Sequence, residues 1–239
     1  MKHLFLPLAT TTTLLLFLLL LLSTPPTNAT DITVYDAIGE PLVAGQSYYL
    51  VPYEYIDVGG GGLTWKQKVK SEGNCAPYYV SQQNENTDFG SQITFFPQNT
   101  RQTEITTSTE LNIVFDSYSP PYNCPGSSNV WRTALDRATQ THFIELAGRK
   151  GTRDVRTWFT IQELGPDLGG YKIRYCPRHR QADCGDLGIF PRANVIDTRW
   201  LCVNGSNPLA FMFESEELFL KNKARRSVPT YNLGTTYAE

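Results

Sequence analysis

The chain has 239 residues, of which 41% are hydrophobic and 18% charged, and it carries a formal net charge of −2. That length supports one sizeable domain or at most two small ones, and the balance excludes an intrinsically disordered chain. The slightly acidic charge argues against a nucleic-acid partner, which requires a basic face to neutralise phosphates.

Met1-Lys2-His3 opens the chain with positive charge, Leu14–Leu22 is an unbroken apolar run, and Ser23–Ala29 is small and polar with two prolines. This order reads as a secretory signal peptide over residues 1–29, cleaved near Ala29. The apolar run is short for a membrane span, which takes about 20 residues. No membrane association is therefore expected after cleavage. The mature chain is expected to be secreted, to the cell exterior or a vacuole, and to be a monomer.

Beyond residue 30 there is no long helical periodicity. Short runs rich in Val, Ile, Tyr, Phe and Thr recur between Gly, Pro, Asn and Asp clusters. Strands are predicted at Ile32–Tyr35, Ser47–Tyr53, Leu63–Val69, Tyr78–Gln82, Ile93–Phe96, Leu111–Phe115, His142–Leu146, Thr157–Leu164, Tyr171–Cys176, Leu187–Phe190, Arg199–Val203 and Leu209–Phe213. Gly39-Glu40-Pro41, Gly59–Gly62, Ser119-Pro120-Pro121, Gly165-Pro166 and Gly169-Gly170 are the turn signals between them. A dozen short, regularly spaced strands predict an all-β, closed antiparallel architecture, sandwich or barrel. Residues 30–213 form the expected domain. Residues 214–239 read as a mobile tail, with one or two helical turns between Glu214 and Leu220 and a basic run from Lys221 to Arg226.

The mature chain carries Cys75, Cys124, Cys176, Cys184 and Cys202. In a secretory compartment cysteines pair, and an odd number leaves one over. Cys176 and Cys184 are close in sequence, with Arg178, His179 and Arg180 on the intervening stretch; joining them leaves Cys75 for Cys124 or for Cys202. Asn204-Gly205-Ser206 is a glycosylation sequon, with Asn204 the acceptor.

Catalysis finds poor material here. Only His142 and His179 remain after signal removal, one in a strand-like stretch and one beside two arginines. A Ser-His-Asp group requires a histidine in a cleft, and a zinc site requires more free nitrogen and sulfur ligands than are present. Gly59–Gly62 lacks the Gly-Lys-Ser/Thr ending of a phosphate loop. No catalytic residue, metal or cofactor is assigned.

Several segments together resemble one family. Tyr35–Leu42 with Gly45 and Tyr48-Tyr49, Thr109–Phe115, Trp131, Trp158–Ile161, Tyr171–Pro177 with Cys184–Gly188, and Pro208–Phe213 are similar to proteins of the soybean-trypsin-inhibitor (Kunitz) type. The resemblance runs from Ile32 to Phe213. It implies a β-trefoil of twelve strands about a pseudo-threefold axis, with Cys75–Cys124 and Cys176–Cys184 bridged and Cys202 a free thiol. It also implies a plant protease inhibitor whose partner is a trypsin-like serine endopeptidase.

Inhibitors of this type present a substrate-like loop ahead of the central strand. Here that loop is Pro97, Gln98, Asn99, Thr100, Arg101, Gln102 and Thr103, extending to Glu104. Counting from Pro97 selects Asn99 as the specificity residue, and counting back from Phe115 selects Arg101. Arg101 has the chemistry to enter a pocket floored by a carboxylate. Such inhibitors carry a loop-supporting Asn where this chain has Ala44, whose side chain neither donates nor accepts. A softer loop is expected on that account. The alternative function is that of the miraculin-like branch: defence, storage or recognition on the same fold with weak or no inhibition.

Overall fold

The computed structural model describes residues 31–226 apart from 54–58, 68–74, 108, 121–123, 125, 166–168, 178–180, 191–197 and 205–207. The expected signal segment 1–29, the loop cations Arg178, His179 and Arg180, and the tail from 227 lie outside the described residues.

The described residues form twelve strands and one α-helix. The strands are β1 (Ser47–Pro52), β2 (Leu63–Gln67), β3 (Tyr78–Gln82), β4 (Ile93–Pro97), β5 (Leu111–Phe115), β6 (Trp131–Asp136), β7 (Thr141–Leu146), β8 (Thr160–Glu163), β9 (Tyr171–Tyr175), β10 (Gly185–Ile189), β11 (Arg199–Val203) and β12 (Phe211–Ser215); the helix is α1 (Glu216–Arg226).

Six strands close a barrel. β1 pairs with β4 and β12, β4 with β5, β8 with β9, and β9 with β12, all antiparallel. The ring is completed between β5 and the entry to β8, where Leu111 and Phe159 exchange reciprocal backbone hydrogen bonds of 2.8 and 3.0 Å. The other six strands form the hairpins β2–β3, β6–β7 and β10–β11. One strand of each hairpin meets the other two: β3 pairs with β7, β7 with β11 and β11 with β3. Each third of the chain thus supplies two barrel strands and one capping hairpin, and the closed triangle marks the pseudo-threefold axis. This is the β-trefoil, and ring closure removes the exposed edges that an open sheet would present.

Two clusters fill it. Leu50, Phe95, Ile113, Phe115, Trp131, Ile161, Ile173, Phe211 and Phe213 belong to the main core, and Tyr79, Phe143, Trp200 and Cys202 pack where the hairpins meet. Cys75 bridges Cys124 and Cys176 bridges Cys184, leaving Cys202 free. Cys202 pairs in register with Phe143, and burial pushes its thiol pKa up to about 12.

Three expectations differ from the structure. Ile32–Tyr35 makes only isolated bridges, to Thr106 and Pro41, because its neighbours are loop segments that offer no continuous ladder. Trp131–Asp136, which the residue pattern does not mark as a strand, pairs with β7 along its whole length. Its Ala, Leu, Arg and Asp lack β propensity, and pairing with a full partner strand overrides that deficit. Residues 214–226 also form regular structure: Glu214 and Ser215 pair with Tyr49 and Tyr48. In α1, Phe219 then lies 4.6 Å from the Tyr49 ring and 4.9 Å from Phe89. An aromatic seat assembled from distant segments holds this part of the expected mobile tail.

Candidate functional site

The predicted loop leaves β4 at Pro97 and returns to β5 at Leu111. Pro97 is buried and pairs with Leu111, and the Gln98 N–H donates to the Glu110 carbonyl (2.8 Å) across the neck. Gln98, Asn99, Thr100 and Arg101 are exposed at the apex. Pro97 costs the β4–β5 ladder no hydrogen bond, because both backbone groups of its partner Leu111 are turned to Phe159.

A turn forms the apex. The Gln102 N–H donates to the Asn99 carbonyl (3.0 Å), and the Arg101 N–H donates to Asn99 Oδ1 (3.2 Å). Neither Thr100 nor Arg101 has a positive φ, so the turn belongs to the type I class, with Thr100 in the helical region. Asn99 therefore spends its side chain on its own turn. The guanidinium of Arg101 has no hydrogen bond or ion pair among the described residues and points to solvent. Of the two candidates for the specificity residue, Arg101 presents the free side chain.

The arm after Arg101 is held from below. The Ala44 N–H donates to the Thr103 carbonyl (2.8 Å), Val43 bridges Glu104, and the Ile105 N–H donates to the Leu42 carbonyl (2.9 Å). Ile105 is fully buried and anchors the arm to the core. Ala44 thus supports the loop with its backbone. A positive φ of 80° at Gly45 reverses the chain into β1 directly after it.

The side-chain support comes from inside the loop. Gln102 Nε2 donates to the Glu104 carbonyl (2.8 Å) and to Thr109 Oγ1 (2.7 Å). Thr109 Oγ1 also accepts the Thr106 N–H (3.1 Å) and lies 2.9 Å from Thr106 Oγ1. The sequence marks Gln102 as a member of the loop following Arg101, and its inward direction has no signal in the neighbouring residues.

A second loop, 147–159, abuts the neck. Asn112 of β5 is fully buried. Its Oδ1 accepts the Gly151 N–H and its Nδ2 donates to the Thr157 carbonyl, each at 2.8 Å. Lys150 Nζ sits 3.6 Å above the ring of Phe96, one residue before Pro97.

The remaining sequence candidates lie elsewhere. Half-buried His142 pairs with Leu135 in the β6–β7 hairpin. Asn204 is exposed at a left-handed position after β11 (φ 55°), its Nδ2 3.4 Å from the Cys184 carbonyl.

Comparison with known proteins agrees with this arrangement. The legume Kunitz family model, described as trypsin and protease inhibitor, matches residues 34–215. Miraculin of Synsepalum dulcificum is 34% identical over 165 residues, covering 66% of this chain and 72% of that protein. Kunitz trypsin inhibitor 3 of Arabidopsis thaliana is 32% identical over 156 residues, covering 65% and 66%. The solved complex of soybean trypsin inhibitor with porcine pancreatic trypsin matches with a TM-score of 0.60 at 25% identity, covering 77% of this chain and 98% of that one. With the barrel closed, the hairpins in triangle and the model matched over nearly the whole described fold, the chain belongs to the legume Kunitz family of trypsin and protease inhibitors.

Proposed function

We propose that this protein inhibits trypsin-like serine endopeptidases by presenting Arg101, with Arg101–Gln102 as the bond offered for attack. The observation that carries this reading is the division of labour at that bond. Arg101 is exposed and unpaired, while Gln102 is fixed by two side-chain hydrogen bonds and followed by an arm hydrogen-bonded to residues 42–44. A guanidinium entering a carboxylate-floored pocket gives specificity. If the bond is cut, the new amine stays on an anchored residue and re-forms the peptide. A loop ordered before docking loses little entropy on binding. The relatives named as trypsin inhibitors and the soybean inhibitor–trypsin complex support the same reading.

The protein would follow the secretory route with residues 1–29 removed, act as a monomer and carry a glycan on Asn204. No helix among the described residues is long and apolar enough to cross a membrane.

Titration against trypsin tests the reading. Stoichiometric, sub-micromolar inhibition that Arg101→Ala abolishes is the expected result, and cleavage within 98–104 without inhibition would refute it. A second reading rests on the Asn99–Gln102 turn. Endopeptidase clefts take an extended strand, and here the arm before the scissile bond is curled and must open. Were opening too costly, the protein would act as the miraculin-like branch does, with weak or no inhibition.

A further inference from the structure

The chain is acidic overall, yet the surface beside the inhibitory loop is not. Arg149, Lys150 and Arg153 are all exposed on the loop abutting Phe96 and Pro97. None of the three has a carboxylate partner among the described residues. The other cations nearby are occupied: Arg132 pairs with Glu145, and Arg156 with Asp154. Exposed Glu104 lies on the far arm of the inhibitory loop and half-buried Glu110 at its neck. With Arg101, four unpaired cations thus share one end of a chain whose net charge is −2.

The basic loop is held in place. Gly151 is tied to Asn112, and the Trp158 indole N–H donates to the Thr152 carbonyl (3.0 Å). Asp154 accepts the Arg156 N–H (3.1 Å) at the start of the 3-10 turn Val155–Thr157. Lys150 is fixed over Phe96, which places it on the arm that precedes Arg101. The position of these charges relative to the Arg101–Gln102 bond is therefore set by the fold.

Resting on the inhibitory reading above, we infer that Arg149, Lys150 and Arg153 form a second contact that selects endopeptidases whose cleft is rimmed by acidic residues on the acyl side. Arg101 reads the specificity pocket, and the basic loop reads the charge of the rim. Exposed charges at an interface rim act chiefly on the association rate and its salt dependence.

Two proteases with the same pocket and opposite surface charge, anionic and cationic trypsin, separate the roles. Association and dissociation rates would be measured for both at low and high NaCl. The wild type should associate faster with anionic trypsin, and that advantage should shrink in high salt. The triple variant R149Q/K150Q/R153Q should lose about tenfold in association rate with anionic trypsin at low salt and little in dissociation rate. R149Q/R153Q, which leaves the Lys150–Phe96 contact intact, should show an intermediate loss at an unchanged melting temperature. Wild-type rates in both variants, or equal losses against the two trypsins, would overturn the inference while leaving inhibition through Arg101 standing. Absence of wild-type inhibition of either trypsin would instead remove the underlying reading, and the inference with it.

Discussion

Replacing Gln102 by alanine isolates the anchor beneath the offered bond. The change removes hydrogen bonds of 2.8 Å to the Glu104 carbonyl and 2.7 Å to Thr109 Oγ1. Each is worth about 0.5–1.5 kcal/mol net. Thr109 keeps its contacts with Thr106, and the Glu104 carbonyl, which loses its side-chain donor, belongs to an exposed residue where water can replace it. The loop is then expected to lose about 1–2 kcal/mol of local support. Since 1.4 kcal/mol is a factor of ten, inhibition of trypsin should weaken by roughly five- to thirtyfold. The cut form should accumulate as well, because the freed amine is no longer held. The assay pairs inhibition constants with mass spectrometry of the Arg101–Gln102 bond during incubation with catalytic trypsin. Thr109→Val, alone and combined with Gln102→Ala, closes a double-mutant cycle in which about 1 kcal/mol of coupling is expected. Wild-type inhibition and wild-type resistance to cleavage in Gln102→Ala would refute the anchoring argument.

Asn112→Ala should destabilise the fold by about 2–4 kcal/mol in urea unfolding, because it strips partners from the Gly151 N–H and the Thr157 carbonyl and leaves a cavity under the neck. Phe219→Ala should cost about 1–2 kcal/mol and speed proteolysis within α1, since Tyr49 and Phe89 lose the ring between them; unchanged proteolysis would mean that the helix is not docked. Cys202 should resist a thiol reagent at pH 8 until the protein unfolds, given its burial and a thiol pKa pushed up to about 12. The side-chain hydrogen bond from Arg156 holds the Asp154 carboxyl below its usual range. Its folded pKa is depressed, so the stabilisation is present above the unfolded pKa and lost as pH falls through the folded one. Asp154→Asn should therefore flatten the acid limb of the stability profile below pH 3.8, by no more than about 1 kcal/mol for so exposed a pair.

Strand-rich character, most strand positions, the cysteine inventory and the polarity of the segment containing Arg101 are legible in the residues alone. These are local properties: residue type, alternation and turn chemistry act over a few positions. The resemblance supplied the trefoil and the disulfide partners, and the structure shows both. What the sequence could not decide depends on segments that meet only in space. Trp131–Asp136 becomes a strand because β7 lies beside it. Gln102 turns inward because Thr109 and the Glu104 carbonyl wait beneath it, and Ala44 supports the loop through a backbone N–H that every non-proline residue possesses. Lys150 reaches Phe96 only because Asn112 pins Gly151 to the neck of the loop, 39 positions away along the chain. Side-chain direction and long-range pairing follow from ring closure and burial, and no window of adjacent residues contains either.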